Sequence, residues 1–283
     1  MTDKLGMRMK EFYETVPKAR LMRRTPVAIR IDGKAFHTFT CGFNKPFDHI
    51  LGTAMQETMR YLCQNIQGCV LGYTQSDEIT LILVDYKRLN SSAWFDYKVQ
   101  KMCSVAASMA TMAFNKAFHK AVEDADFFWK TSLTPQSVEI QQGHQKYMEI
   151  LRAAETKGAM FDARCFNIPK EEVTNLVYWR QLDATRNSIQ MVGQANFSHR
   201  ELQGKSCIQI KKMLSDIDIE WDDYPISYQR GSCCIKTCIQ DVTPDGIEHI
   251  RSEWIIDKNI PLFIGEGREY IESLIQSEEN NYG

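Results

Sequence analysis

Three acidic residues stand where apolar segments of the chain end, and their positions suit phosphoryl-transfer chemistry. Asp32 ends one apolar run and directly precedes Gly33, while Asp77 and Glu78 lie between two further apolar runs. Charged groups beside a core are costly to bury unless they bind a partner. Converging carboxylates would suit Mg²⁺, which takes hard oxygen ligands and stabilises the attacking and leaving oxygens of a phosphoryl transfer. The spacing fits water-exposed turn carboxylates equally, so both interpretations stay open at this point.

Groups near these carboxylates could hold a phosphate. The stretch after Asp32 can offer successive backbone N–H groups to an anion. Two lysines three residues apart share a helix face, and a third precedes a proline, so each fits either a phosphate contact or ordinary solvation. His37 fits a catalytic role or a packed surface position. The residues concerned are Lys34, Ala35, Phe36, His37, Lys45, Lys98 and Lys101.

The elements that must position these residues follow from apolar periodicity and from proline and glycine stops. Helices are predicted over 5–15, 48–64, 92–119, 136–158, 170–191 and 198–214, and strands over 27–31, 69–73, 79–84, 161–169, 231–242 and 254–257. The second and third strands form a hairpin with a polar tip. We expect one compact body with an accessory C-terminal half rather than two independent domains.

Composition excludes several classes of protein. The 283 residues are 43% hydrophobic and 25% charged, which excludes disordered, collagen-like and coiled-coil proteins. No apolar run approaches the roughly 18 residues of a membrane span, so we expect a cytosolic protein without membrane contact. The net charge is −2, but residues 1–60 hold 11 Lys and Arg against 6 Asp and Glu, whereas residues 241–283 hold 3 against 10. Of the two segments only the basic front one could face phosphates, and an ordinary solvated surface explains the charges of both segments equally well.

The cysteines argue against a disulfide framework and against a zinc site. There are 9 of them, with no CxxC pair and no regular spacing. Cys233, Cys234 and Cys238 lie on a predicted strand without a histidine at zinc-binding distance. We interpret them as buried structural thiols.

Five ordered motifs carry a resemblance to a known family. They are RIDGKAFHTF at 30–39, NKPFD at 44–48, GYTQSDE at 72–78, FDAR at 161–164, and YWRQLD at 178–183 followed by Asn187. Over about residues 5–240 the chain resembles the tRNA-His guanylyltransferase family and its tRNA-repairing relatives, the 3′-to-5′ nucleotide polymerases. The resemblance implies an α+β fold, with a palm-like (ferredoxin-like) antiparallel sheet, helices on one face, and a helical and β accessory half. We place the core at about 20–170 and the accessory region at about 171–283 of one unit.

The resemblance also implies which residues do the chemistry. Asp32, the Gly33 carbonyl and Asp77 would hold two Mg²⁺ ions, and Glu78, beside them, would be the third catalytic residue with the two aspartates. Nucleotide contacts are expected from Gly33, Lys34, Ala35, Phe36, His37, Lys45, Ser76, Lys98, Lys101, Arg164 and Asn187. ATP and GTP are the implied substrates, tRNA the implied partner, and a homotetramer, built as a dimer of dimers, the implied assembly.

The implied reaction has two phosphoryl steps. ATP or GTP first converts the tRNA 5′-monophosphate into a nucleotidylated end, and the 3′-hydroxyl of a GTP then attacks that phosphate. Thr185 stands where the eukaryotic histidine-tRNA enzymes carry a histidine, which favours repair of truncated tRNA 5′ ends over addition of one guanosine to histidine tRNA. A palm-type nucleotide cyclase and a non-catalytic tRNA-binding protein are the alternative hypotheses.

Overall fold

One antiparallel sheet organises the chain, of which a computed structural model describes residues 4–15, 18–131, 138–242 and 248–277. Its strands are β1 (Val27–Gly33), β2 (Cys69–Gln75), β3 (Glu78–Leu83), β4 (Phe161–Asn167), β5 (Ser232–Val242) and β6 (Glu248–Asp257). They lie in the order β4-β1-β3-β2-β5-β6, and every neighbouring pair is antiparallel. The last two strands, from the C-terminal half, therefore extend the sheet of the N-terminal half.

The α-helices of the described residues are α1 (Lys4–Met9), α2 (Phe36–Phe39), α3 (His49–Asn65), α4 (Val99–Thr131), α5 (Val138–Lys157), α6 (Val173–Asn196), α7 (His199–Leu202), α8 (Cys207–Ser215), α9 (Ile226–Arg230) and α10 (Glu269–Glu272), and a π-helical turn over Lys10–Glu14 continues α1. The helix predicted over 92–119 was wrong at both ends. Phe95, Asp96 and Tyr97 adopt left-handed φ values of 49°, 54° and 52°, so regular helix begins only at Val99. Residues 136 and 137 of the helix predicted over 136–158 lie outside the described residues.

Strand alternation divides the core into two layers. Successive residues of a strand point to opposite faces, so Ile29 and Ile31 pack with α3 and α4, whereas Ala28 packs with α6 and the segment after β6. The polar residues Arg30 and Asp32 follow the second pattern and belong to the α6 face. The predicted α+β palm-like sheet with helices on one face is confirmed, and the C-terminal half covers the other face.

The C-terminal strands are anchored in the core and then extend beyond it. β5 pairs with β2 from Leu71 to Thr74, and its later residues pair only with β6 among the described strands. Cys233 and Cys234 are fully buried at the anchored end, as expected of packing thiols, whereas Cys238 is exposed. In the described part of the chain, no helix combines the length and apolarity that a bilayer crossing requires. The cytosolic location and the division at about residue 170 stay predictions.

Candidate active site

The end of β1 and the turn between β2 and β3 meet at one edge of the sheet. Asp32 lies opposite Glu78 in the β1–β3 register. The Gly33 N–H donates a hydrogen bond to the Asp77 carbonyl oxygen at 3.1 Å. Ser76 opens the turn at a φ of 48°, a backbone conformation that costs energy for a residue with a side chain and that occurs often at functional sites. The three predicted acidic residues therefore lie together.

The two aspartates are held in an environment that disfavours their charge. Burial raises the pKa of Asp32 above its ordinary value, and the nearby charges of Glu78 and Asp162 raise it further. Burial also raises the pKa of Asp77, to which the charges of Asp32 and Glu78 add, although a hydrogen bond from Ser76 opposes the shift. Carboxylates that repel each other in this way are stabilised by a cation placed between them.

The donor set fits a hard divalent cation such as Mg²⁺. Among the described residues, no side chain donates a hydrogen bond to the Asp32 carboxylate or forms an ion pair with it, and that of Asp77 accepts from the Ser76 hydroxyl at 3.1 Å. In the same part of the chain, no group of three His, Cys, Asp or Glu side chains forms a metal site. The predicted ligands, two carboxylates and the Gly33 carbonyl, match Mg²⁺, which commonly takes one or two protein carboxylates and completes its shell with water and phosphate oxygens.

Glu78 lies beside the aspartates, and both of its carboxylate oxygens accept hydrogen bonds from arginines. Its Oε2 accepts from Arg30 Nη2 at 2.6 Å, and its Oε1 accepts from Arg180 Nε at 2.7 Å. Arg180 also donates to Asp183 at 2.9 Å. Glu78 and Arg180 are both buried, so the network ties α6 to the hairpin that carries Asp77. With both oxygens engaged, Glu78 is placed as a support for the aspartates, and its catalytic role stays a prediction.

The backbone after Gly33 forms a row of amide donors. The Lys34 N–H donates to the Met160 carbonyl at 2.8 Å, whereas the next three N–H groups, of Ala35, Phe36 and His37, have no acceptor among the described residues. Ala35 has a left-handed φ of 54°, which turns the chain into α2. A Cβ on Gly33 would lie 2.2 Å from the Phe36 ring, so only glycine fits there. Such a row of N–H groups is a binding surface for an anion.

A cleft beside this row brings several predicted nucleotide contacts together. His37, Lys45, Ser76 and Asp77 all line it. The Lys45 loop is fixed by the buried Asp48. The Asp48 carboxylate accepts hydrogen bonds from the N–H groups of Asn44 and Leu51, both at 3.0 Å, and from the Tyr147 hydroxyl at 2.6 Å.

A second pocket opens next to the cleft, and Ser76 and Asp48 line both. Asn187 of α6 lines this pocket together with Phe47 and Tyr228. The two aromatic rings stack in parallel with their centroids 4.7 Å apart. Apolar rings beside a few polar groups are the usual lining of a small-molecule site.

The remaining predicted contacts fall into two groups. Arg164 lies opposite Arg30 in the β1–β4 register, and its charge acts on Asp32, so it belongs to the site. Lys98 and Lys101 do not reach this cleft. They stand at the start of α4, where the neighbouring Val99 carbonyl contacts Cys165, which lies opposite Ile29. That is the face of the sheet covered by α3 and α4, and the position is away from the Asp32 end of β1. The nucleotide contacts of these two lysines therefore stay predictions.

Sequence reasoning did not assign the residues that brace the site. Arg30 and Arg180 donate to Glu78, and Asp183 accepts from Arg180 and holds it in place. Asp48 with Tyr147 holds the Lys45 loop. One signal was present in the sequence: Arg30 interrupts an otherwise apolar strand, and a charged residue in a buried strand requires a buried partner. The identity of that partner depends on strand register, which local pattern does not give.

Comparison with known proteins identifies the family. The model of the tRNAHis guanylyltransferase family matches residues 6–169. A bacterial tRNA(His) guanylyltransferase (Thg1)-like protein, solved in complex with ATP, is 36% identical over 96% of this chain and 99% of that chain, with a TM-score of 0.75. Its GTP complex gives the same identity and coverage with a TM-score of 0.70. A probable tRNA(His) guanylyltransferase of Dictyostelium discoideum is 24% identical over 84% of this chain and 86% of that protein. The chain therefore belongs to the tRNAHis guanylyltransferase family and is a nucleotidyltransferase.

Proposed function

We propose that this protein adds nucleotides in the 3′-to-5′ direction to the 5′ end of tRNA and repairs tRNAs that lack their first nucleotides. The observation that carries the proposal is the meeting of Asp32 and Asp77 beside a row of amide donors that have no acceptor in the described part of the chain. Two carboxylates that need a cation, next to a surface that binds phosphate, make a site for phosphoryl transfer to or from a nucleoside triphosphate. The similarity to a protein solved with ATP and with GTP supports the same substrates here.

Each part of the site has a role in the two steps. The N–H groups of Ala35, Phe36 and His37, together with the Lys45 ammonium, hold triphosphate oxygens in line for attack. The pocket between Phe47, Tyr228 and Asn187 orients the rest of a nucleotide. Arg164 contacts phosphate near Asp32. Because the groups are fixed before the substrate arrives, the catalysis comes from position and electrostatic field, without a covalent nucleophile on the protein.

The bonds exchanged follow from the substrates. An oxygen of the tRNA 5′-monophosphate attacks the α-phosphorus of ATP, and pyrophosphate leaves. The 3′-hydroxyl of GTP then attacks the activated 5′-phosphorus, the hydroxyl proton passes to solvent, and AMP leaves. Two Mg²⁺ ions, held by Asp32, Asp77 and the Gly33 carbonyl, would supply Lewis-acid stabilisation of the phosphate charge when bound.

Repair, rather than addition of a single guanosine to histidine tRNA, is supported by Thr185. This residue stands on α6 in place of the histidine of the eukaryotic enzymes, and its hydroxyl donates to the Gln181 carbonyl one turn earlier at 3.0 Å. The side chain therefore hydrogen-bonds to the backbone of its own helix and does not present an imidazole to the nucleotide. The identity to the bacterial protein, 36%, also exceeds the 24% identity to the Dictyostelium protein. A cytoplasmic homotetramer, arranged as a dimer of dimers, completes the proposal.

The test is incorporation of labelled GTP, with ATP present, into a 5′-phosphorylated tRNA that lacks its first nucleotide, compared with full-length histidine tRNA. We expect faster incorporation into the truncated tRNA, and loss of incorporation in Asp32→Ala and Asp77→Ala with retained folding by circular dichroism. Preference for full-length histidine tRNA would overturn the choice of substrate. Retained activity in both variants would overturn the role of the aspartates.

Two control reactions test the alternative functions. A nucleotide cyclase would release a cyclic product from GTP without any RNA. A non-catalytic tRNA-binding protein would incorporate nothing, and the two alanine variants would leave its RNA affinity unchanged.

A further inference from the structure

Trp179 is an exposed tryptophan next to the candidate active site. It lies on α6 with 52% of its surface open to solvent, whereas Trp94 and Trp221 are 6% and 7% exposed. Trp129, near the C-terminal end of α4, stacks on His144 with the two ring centroids 3.9 Å apart. Leaving an indole ring in water forgoes a large hydrophobic stabilisation, so an exposed tryptophan beside a functional cleft is a candidate binding residue.

The Trp179 ring is held in a fixed position. The Arg180 guanidinium carbon lies 4.5 Å from the ring centroid, and that of Arg30 lies 5.5 Å from it. Both arginines are locked on Glu78 by the hydrogen bonds described above. The ring is therefore pre-oriented by groups that cannot easily move, which lowers the entropic cost of binding something on its open surface.

The ring contacts the face of the sheet that carries Asp32, and the neighbouring elements β4 and α6 each carry an exposed arginine. Arg30 lies on the same face of β1 as Asp32 and two residues before it, a separation of about 7 Å along a strand. Arg164 and Arg186 have side chains that are 57% and 61% exposed. Arg164 pairs with Asp162, which is also exposed, and such exposed pairs are weak enough to be exchanged for phosphate contacts. Arg186 pairs with Asp183, which is 19% exposed and also binds Arg180, so the Arg186 guanidinium has its exposed side free for a phosphate.

We propose that Trp179 is the platform on which the terminal nucleobase at the tRNA 5′ end stacks, with Arg164 and Arg186 facing the adjoining phosphates. The proposal rests on the proposed function and adds the place where the RNA end is held. A nucleic acid is favoured over a protein partner because a rigid exposed ring with exposed arginines on the neighbouring elements suits a stacked base and its phosphates. The exposed apolar surface, which Leu182 extends by one helical turn, is small for a protein interface.

The experiment compares Trp179→Ala, Trp179→Phe and a matched control, Phe128→Ala, in the full-length protein. Phe128 is 76% exposed near the end of α4, which covers the opposite face of the sheet. With a 5′-phosphorylated tRNA lacking its first nucleotide, we expect Trp179→Ala to raise the KM for tRNA by about 5- to 150-fold. This range is the loss of affinity that follows from removing one base–aromatic stack. The KM for GTP should stay unchanged, and Trp179→Phe should recover most of the loss because it keeps a ring.

A second readout does not require catalysis. Adding a 5′-phosphorylated acceptor-stem minihelix should quench tryptophan fluorescence in the wild-type and Phe128→Ala proteins, and Trp179→Phe should abolish that quenching. The inference is overturned if the tRNA KM is unchanged in Trp179→Ala, if the KM for GTP rises equally, or if quenching persists in Trp179→Phe. A wild-type protein that incorporates nothing would refute the proposed function, while quenching by the minihelix would still report on the platform.

Discussion

Replacing Glu78 by glutamine tests how much the ion pairs of Glu78 with Arg30 and Arg180 contribute to the stability of the folded protein. The substitution keeps the shape of the side chain but leaves Arg30 and Arg180 around a neutral amide. Arg180 and Glu78 are both buried, and breaking a buried pair by removing one charge costs about 3–5 kcal/mol. That is a large part of the roughly 5–15 kcal/mol by which a folded protein is stable. At about 2 °C per kcal/mol for a chain of this length, the melting temperature should fall by about 6–10 °C.

The assay is equilibrium unfolding in urea, with Glu123→Gln as the matched control. Glu123 accepts from Arg152 at 3.0 Å on the surface, where an ion pair contributes about 0–1 kcal/mol. The double variant Glu78→Gln with Arg180→Met should lose less than the sum of the two single losses, because the second change removes a charge that the first left without its partner. A loss for Glu78→Gln as small as that of Glu123→Gln, or strict additivity, would refute the reasoning.

Two further predictions concern the cation seat and the Lys45 loop. The raised pKa of Asp77 means that the folded state binds this proton more tightly than the unfolded state does. The stability of the protein therefore falls as the pH rises from the ordinary aspartate pKa through the raised pKa of the folded state. Asp77→Asn should therefore raise the melting temperature at pH 7 without Mg²⁺ and abolish any Mg²⁺-dependent gain; an unchanged or lower value in differential scanning fluorimetry would contradict this. Tyr147→Phe removes a hydroxyl that donates to the Asp48 carboxylate, so it should cost about 1.5–3 kcal/mol in urea unfolding and raise the KM for GTP through the Lys45 loop. Tyr86→Phe, whose hydroxyl donates to a neutral carbonyl, should cost about 0.5–1.5 kcal/mol with no change in that KM; equal costs and equal KM values would argue against the loop's role.

The acidic ends of the strands at Asp32 and Asp77 were predictable because they depend on local pattern, whereas the meeting of these two residues across β1 and β3 was predicted only through the family resemblance. Apolar runs with acidic ends indicate strands, and a five-residue polar tip indicates a hairpin that brings its carboxylates to one edge. The motif order then predicted the family and, through it, the sheet. The anion-binding row after Gly33 was predictable for the same reason, since a single short turn forms it.

Contacts between distant parts of the chain were not predictable. The Arg180–Glu78 pair joins residues 102 positions apart, and no periodicity within α6 indicates which strand it faces. Lys98 was grouped with the nucleotide contacts by the family resemblance, and its nucleotide contact stays a prediction because it lies just before α4 and outside the described cleft. The delayed start of α4 depends on left-handed residues 95–97, which carry side chains and give no glycine signal.

The pairing of β5 with β2 sets a lower limit on the size of a stable fragment. The family match ends at residue 169, yet β2 lies next to β3 on one side and to β5 on the other. A chain cut at that point would leave β2 as an open edge, with Leu71 and Tyr73 stripped of the layer that buries them. Open edges with apolar side chains invite intermolecular pairing. The segment that matches the family model, residues 6–169, is thus shorter than the segment needed to cover β2, which includes β5.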